Sequence, residues 1–137
     1  RELEGDRFTA IGQLGVDVEY YVASPPKTPR YTLRCGEKYA GQTVYQDLLH
    51  LQSAGDDAYY VALFPRRRAE PAPSFQKLGN GTIIKLSGDF GADYAFLSGS
   101  DTEATGEGAF FKGSAGSVNP SRKRWALAAR PCQRTVD

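Results

Sequence analysis

Hydrophobic and polar positions alternate most cleanly near the start of the chain. Leu14, Val16, Val18, Tyr20 and Val22 interleave with Gly15, Asp17, Glu19 and Tyr21. A period of two is the signature of a β-strand, and one side apolar with the other polar predicts a sheet with one wet face. Pro25, Pro26 and Pro29 end this run, because proline cannot donate to a strand ladder. Tyr31, Leu33 and Cys35 then alternate with Thr32 and Arg34, predicting a second strand. Residues 43–52 fit two patterns. Val44, Tyr45, Leu48, Leu49 and Leu51 make a helical stripe, whereas Tyr45, Leu49 and Leu51 also suit a strand. The neighbouring strands favour the strand. Ala58 to Phe64 is apolar throughout, which predicts a central strand covered on both faces, with Pro65 as its end and Arg66 to Ser74 as an exposed connection.

The stretch from Leu78 to Ser98 is the organising unit. Gly79-Asn80-Gly81 and Gly88-Asp89-Phe90-Gly91 punctuate two short runs. Thr82, Ile84 and Leu86 fall on one side of the first run, and Tyr94 and Phe96 on one side of the second. This is the pattern of an antiparallel hairpin. Beyond it, Gly99 to Gly108 reads as an acidic turn region, Ala109 to Lys112 as a short strand, and Gly113 to Val118 as a small, glycine-rich segment. Trp125, Leu127 and Ala129 alternate with Arg124, Ala126 and Ala128 in a last strand that Pro131 ends. Residues 1–12 have no clear period. The expected fold is all-β, an antiparallel β-sandwich of about eight to ten short strands in one domain over residues 1–137, without internal repeats.

Composition sharpens this picture modestly. A chain of 137 residues can bury a core without metals or many disulfides. Its 15 glycines and 12% aromatics suit short strands joined by tight turns. A net charge of +1 argues neither for nor against a polyanionic partner; no nucleic-acid partner is expected, and no apolar run is long enough to span a membrane. Met is absent, which suggests a domain excised from a longer protein or a processed chain. Cys35 and Cys132 could close one long disulfide loop or remain free thiols; the sequence favours neither.

The chemistry-bearing residues are sparse. His50 is the only histidine, so sites needing two imidazoles are excluded. No nucleophile elbow and no phosphate loop followed by a helix is present, and no cofactor or metal is expected. Asp89 with Asp93, and Asp101 with Glu103, read as turn-forming acids rather than a calcium loop. Basic and aromatic residues meet at Arg66-Arg67-Arg68 and at Arg124-Trp125. Arginine forks clamp carboxylate or sulfate and aromatic rings stack on sugars, so these five are the candidate glycan contacts. The competing reading puts Trp125 and Tyr60 in the core and pairs the arginines with carboxylates.

Three runs carry a family resemblance. Tyr59-Tyr60-Val61-Ala62-Leu63-Phe64-Pro65-Arg66-Arg67-Arg68, Ile84-Lys85-Leu86-Ser87-Gly88-Asp89-Phe90-Gly91-Ala92-Asp93-Tyr94 and Phe110-Phe111-Lys112-Gly113-Ser114-Ala115-Gly116 together resemble the C-terminal β-rich region of heparinase II/III-like polysaccharide lyases. Proteins of that family cleave acidic glycans by β-elimination, using an active site built by an α/α-toroid and a central β-sandwich. The family's catalytic region has a His-rich segment, which this chain lacks. The resemblance therefore implies an accessory domain with no catalytic residues. Its partners would be the catalytic part of the parent protein and an anionic polysaccharide, in a secreted or periplasmic setting. A free-standing carbohydrate-binding module and a purely structural or protein-interaction domain are the alternatives.

Overall fold

The computed structural model describes residues 4–24, 30–52, 58–120 and 122–128. Among them the chain forms ten antiparallel strands and a single 3-10 turn. The strands are β1 (Arg7–Ala10), β2 (Val16–Ser24), β3 (Arg30–Tyr39), β4 (Gln42–Leu51) and β5 (Tyr60–Arg67), followed by β6 (Ser74–Leu78), β7 (Ile83–Gly88), β8 (Gly91–Gly106), β9 (Ala109–Asn119) and β10 (Arg124–Ala128). They assemble into three sheets: β1-β2-β5, β10-β9-β8-β7-β6, and the two-stranded ribbon β3-β4. The all-β expectation holds, and residues 43–52 lie in a strand.

The organising hairpin is β7-β8, with Gly88 paired to Gly91 across a two-residue turn. β7 is apolar on both faces because each covers a different core. Ile84 meets Tyr21 and Ala23 of β2, with Tyr60, Ala62 and Phe75 around them. The Tyr21 and Phe75 rings stack at 5.1 Å across this contact between the two larger sheets. Ile83 faces the other way, into Tyr94, Phe96 and Phe111.

That second core is made by one sheet folding over itself. The ladder between β8 and β9 breaks between Leu97 and Thr102 and resumes beyond. Such an irregularity bends and twists a strand. The outer half of the hairpin returns across its own sheet, stacking Phe111 on Phe96 at 5.3 Å and pairing Glu107 with Lys85. Residues 99–106, expected as a turn region, are therefore strand; only Glu107 and Gly108 turn, both with positive φ. Two central residues with positive φ make the tight hairpin turn that matches strand twist. The glycine-rich segment 113–118 is likewise strand, where small residues permit the close pairing of β9.

Four further expectations are corrected. Residues 7–10 of the leading segment form β1, paired with β2. Residues 58–64 were expected as a central strand, but β5 is an edge strand, and its outward Leu63 is 60% exposed. Pro65 does not end β5, which continues to Arg67; an edge strand has one side with no ladder bond for proline to break. Residues 66–74 are not one exposed connection, since Arg66 and Arg67 close β5 and Ser74 opens β6.

The largest correction concerns β2. Its polar positions face inward: Asp17 is 2% exposed and Glu19 0%. Of the apolar positions on its other side, Val16 is exposed and Val18 and Tyr20 are half-buried, beside half-buried Phe8, which pairs with Tyr20, and Leu63 and Pro65 of β5; Val22, at the far end of the same alternation, is fully buried. The alternation predicted the strand but not which side meets the core.

Candidate functional site

The inward carboxylates of β2 collect three of the chain's arginines. Glu19 accepts from Arg66 Nε at 2.9 Å, from Thr9 Oγ1 at 2.9 Å and from Arg7 Nε at 3.2 Å. Asp17 accepts from Arg68 at 2.9 Å and from the Gly12 amide at 3.1 Å. Gly12 is required for this approach, because a Cβ there would lie 1.8 Å from the Val16 carbonyl oxygen. Burial alone would raise the Glu19 pKa, but hydrogen bonds from Arg66, Thr9 and Arg7 outweigh it and hold the carboxyl below its usual range. Arg68 does the same for Asp17 and is itself held more firmly protonated.

This network fixes the position of the first candidate cluster. Arg66 gives its remaining N–H groups to the carbonyls of Arg67, Arg68 and Glu70, and its side chain is 12% exposed. Arg68 also donates to the Gly12 carbonyl. Arg67 points to the opposite face, beside Val16, and is exposed. The run Arg66 to Arg68 thus supplies two arginines to buried carboxylates and one to the surface. Arg124 is exposed at the start of β10, on the other large sheet, beside Asp93 and Asn119. Trp125 pairs through its backbone with Val118, and its side chain lies outside the description. The structure does not gather the five candidates into one surface: the two groups belong to different sheets.

The other residues singled out in the sequence fall as follows. His50 is exposed on the ribbon, and Cys35 is exposed in the middle of β3. Cys132 lies outside the described residues, and so does the question of pairing. Asp93 accepts a hydrogen bond from Asn119 Nδ2, which ties β8 to β9. Among the described residues no three His, Cys, Asp or Glu side chains converge on a common point.

Two concavities escaped the sequence reading. A cleft of about 500 Å³ lies beside the folded-over hairpin, lined by Tyr94, Phe110, Phe111, Val118 and Pro120. A groove of about 380 Å³ opens at one end of the contact between the two large sheets, where Tyr59 meets Lys77, Thr82 and Ser98. Tyr60 forms part of its wall and donates to the Ala95 carbonyl at 2.6 Å. Burial pushes the Tyr60 pKa up to about 12, so it stays a protonated donor and not a base at neutral pH. The groove draws on four separated segments, around Ala23, Tyr59, Lys77 to Thr82 and Ser98, so no local pattern could have revealed it.

The fold defines an all-β, antiparallel protein. Beyond that class, comparison with known proteins returned no family model, no curated protein and no solved structure that matches the chain.

Proposed function

We propose that this chain is a non-catalytic accessory domain of a polysaccharide lyase acting on anionic glycans, and that it packs on the catalytic part of its parent protein. One observation carries the packing: on the side of the β1-β2-β5 sheet opposite the buried Asp17 and Glu19, Val16 and Leu63 are exposed and Phe8, Val18 and Tyr20 are half-buried beside them, with only Val22 at the far end fully covered. Contiguous apolar surface on an open sheet face marks a place where protein is meant to sit. The face is free of charged side chains except Arg67 at its end, which suits a rim position in an interface with an apolar centre. The lyase assignment is supported by the three runs quoted above, and the anionic-glycan contact by exposed Arg67 and Arg124.

The packing reading has a direct test. The isolated chain should bind a hydrophobic dye and self-associate at high concentration. The double variant Tyr20→Lys/Leu63→Lys should suppress both while keeping the wild-type circular dichroism. A monomeric, dye-negative wild-type chain would remove the basis for a packing face. For the non-catalytic reading, the pure chain should generate no unsaturated-uronate absorbance from alginate, polygalacturonate, heparin or chondroitin sulfate; a steady rise would overturn it.

A further inference from the structure

We propose that the cleft beside the folded-over hairpin binds a small, neutral, largely apolar molecule, one or two aromatic rings in size, whose single hydroxyl group meets the Tyr94 hydroxyl. The inference is independent of the glycan reading and of the packing face, and it concerns the five-stranded sheet. The cleft exists because β9 serves two neighbours. Its inner half, residues 115–119, is flanked by β10, whereas residues 109–113 pair with β8 alone among the described residues. Ala109, Phe110, Phe111 and Lys112 all line the cleft. Neighbouring side chains of a strand point to opposite faces, so four consecutive lining residues mean that the strand presents its open edge. Val118, Pro120 and Ala126 supply the rest of the apolar wall.

Three observations set the chemistry of the ligand. The Phe110 side of the wall is 61% exposed, so a nonpolar ring entering the cleft removes apolar surface from water on both partners. The charged groups at the cleft are engaged, Glu107 with Lys85, and Lys112 with Glu103 at 2.8 Å. An ionised ligand would lose hydration there without meeting a free counter-charge, which selects a neutral one. Tyr94 is the polar group left over. It is 8% exposed and lines the cleft, and no described residue hydrogen-bonds to its hydroxyl; the Lys85 ammonium lies over its ring, 5.9 Å from the centroid. Such a hydroxyl is available to a ligand oxygen, as donor or acceptor. The volume of about 500 Å³ lies within the small-molecule range, roughly 300–1,000 Å³, and an apolar lining with few polar groups is the usual make-up of such sites. In the groove beside Tyr59, by contrast, Thr82, Ser98 and Lys77 already have partners.

Amide chemical-shift titration of the whole 15N-labelled chain tests this, with p-cresol as the neutral hydroxyl probe, toluene as the probe without the hydroxyl, and p-toluate as the charged one. With p-cresol, saturable shifts should appear at Gly108, Phe110 and Val118 and not at Tyr20 or Leu63. The Kd for p-cresol should be below those for toluene and p-toluate. Tyr94→Phe keeps the ring and removes the hydroxyl; it should raise the Kd for p-cresol about fivefold and leave that for toluene within about a factor of two. Phe110→Ala, at an exposed side chain, should weaken p-cresol and toluene alike, and it is read alone should Tyr94→Phe misfold. No saturable shift at the cleft, shifts confined to the β1-β2-β5 face, p-toluate bound as tightly as p-cresol, or p-cresol affinity unchanged in the folded variants would each overturn the site. None of those outcomes touches the packing reading, which stands or falls on dye binding and the Tyr20/Leu63 double variant.

Discussion

Glu19 shows how one side chain can be costly and yet necessary. A fully buried carboxylate is unfavourable unless it is paired and hydrogen-bonded, and here Arg66, Arg7 and Thr9 do both. Removing Glu19 leaves the largely buried Arg66 guanidinium without its carboxylate. Glu19→Ala should therefore lower unfolding stability by about 3–5 kcal/mol, measured by urea denaturation. The pH dependence follows from the same contacts. Asp17 and Glu19 have folded-state pKa values below their ordinary values of 3.8 and 4.5. The unfolded chain thus takes up protons first as pH falls. The stabilisation is fully present above about pH 5 and is lost as pH drops through the folded-state values. Midpoints of urea unfolding should be flat from pH 7 to 5 and fall below that. Glu19→Gln should flatten part of the decline; an unchanged acid limb would show that other carboxylates cause it. At this scale the sequence offered Asp17 and Glu19 as ordinary outward charges, because an alternating strand looks the same whichever side is buried.

Single elements differ in how well their surroundings support them. β7 has a core on each face, with Ile83 0% and Ile84 2% exposed. Ile83→Ala and Ile84→Ala should each cost about 2–5 kcal/mol, read from the shift in urea midpoint, although they point into different clusters. The β3-β4 ribbon is the opposite case. Its ten cross-strand pairs run from Arg30-Leu51 to Tyr39-Gln42 and form a sheet of their own. Leu33, Tyr39, Val44 and Leu48 share one side and are all at least 45% exposed. The other side holds Arg34 against Asp47 at 3.6 Å and over the Tyr45 ring at 5.0 Å. A two-stranded hairpin alone is marginal in water. Amide hydrogen exchange in the ribbon should therefore be faster by orders of magnitude than at Ile83, Ile84 and Phe96. Equal protection would mean that the ribbon packs on something in solution. Its first strand was legible because Tyr31, Leu33 and Cys35 alternate; Gly36 and Gly41 suggested a loop between them, but β3 runs on to Tyr39 and only Ala40 and Gly41, both with positive φ, make the turn. The exposure of that stripe is a long-range fact that alternation does not encode.

At the scale of the whole molecule, the packing of the two large sheets and the folding-over of β8-β9 share one strand, β7. That arrangement couples them. Ile83→Ala and Ile84→Ala should each lower a single thermal transition, seen at one temperature by far-ultraviolet circular dichroism and by tyrosine fluorescence. Two separated transitions in either variant would show that the folded-over hairpin melts independently. The apolar outer side of β1-β2-β5 also belongs to this scale, since it exists only because the polar side of β2 is turned in toward Arg66 and Arg68.

The sequence by itself determined the local conformation: strands wherever residues alternate, tight hairpins at Gly88 to Gly91, and no pattern sustained enough for a helix to prevail. It did so because strand and turn preferences act over a few neighbouring residues. Only the tertiary structure decided which side of β2 is buried, that residues 99–106 and 113–118 extend the strands, that Arg66 and Arg68 serve interior carboxylates, and that Tyr59, Lys77 and Ser98 share a groove. Each of these depends on contacts between residues far apart in the chain. Arg66 and Glu19 are 47 positions apart, and no window of local sequence contains both.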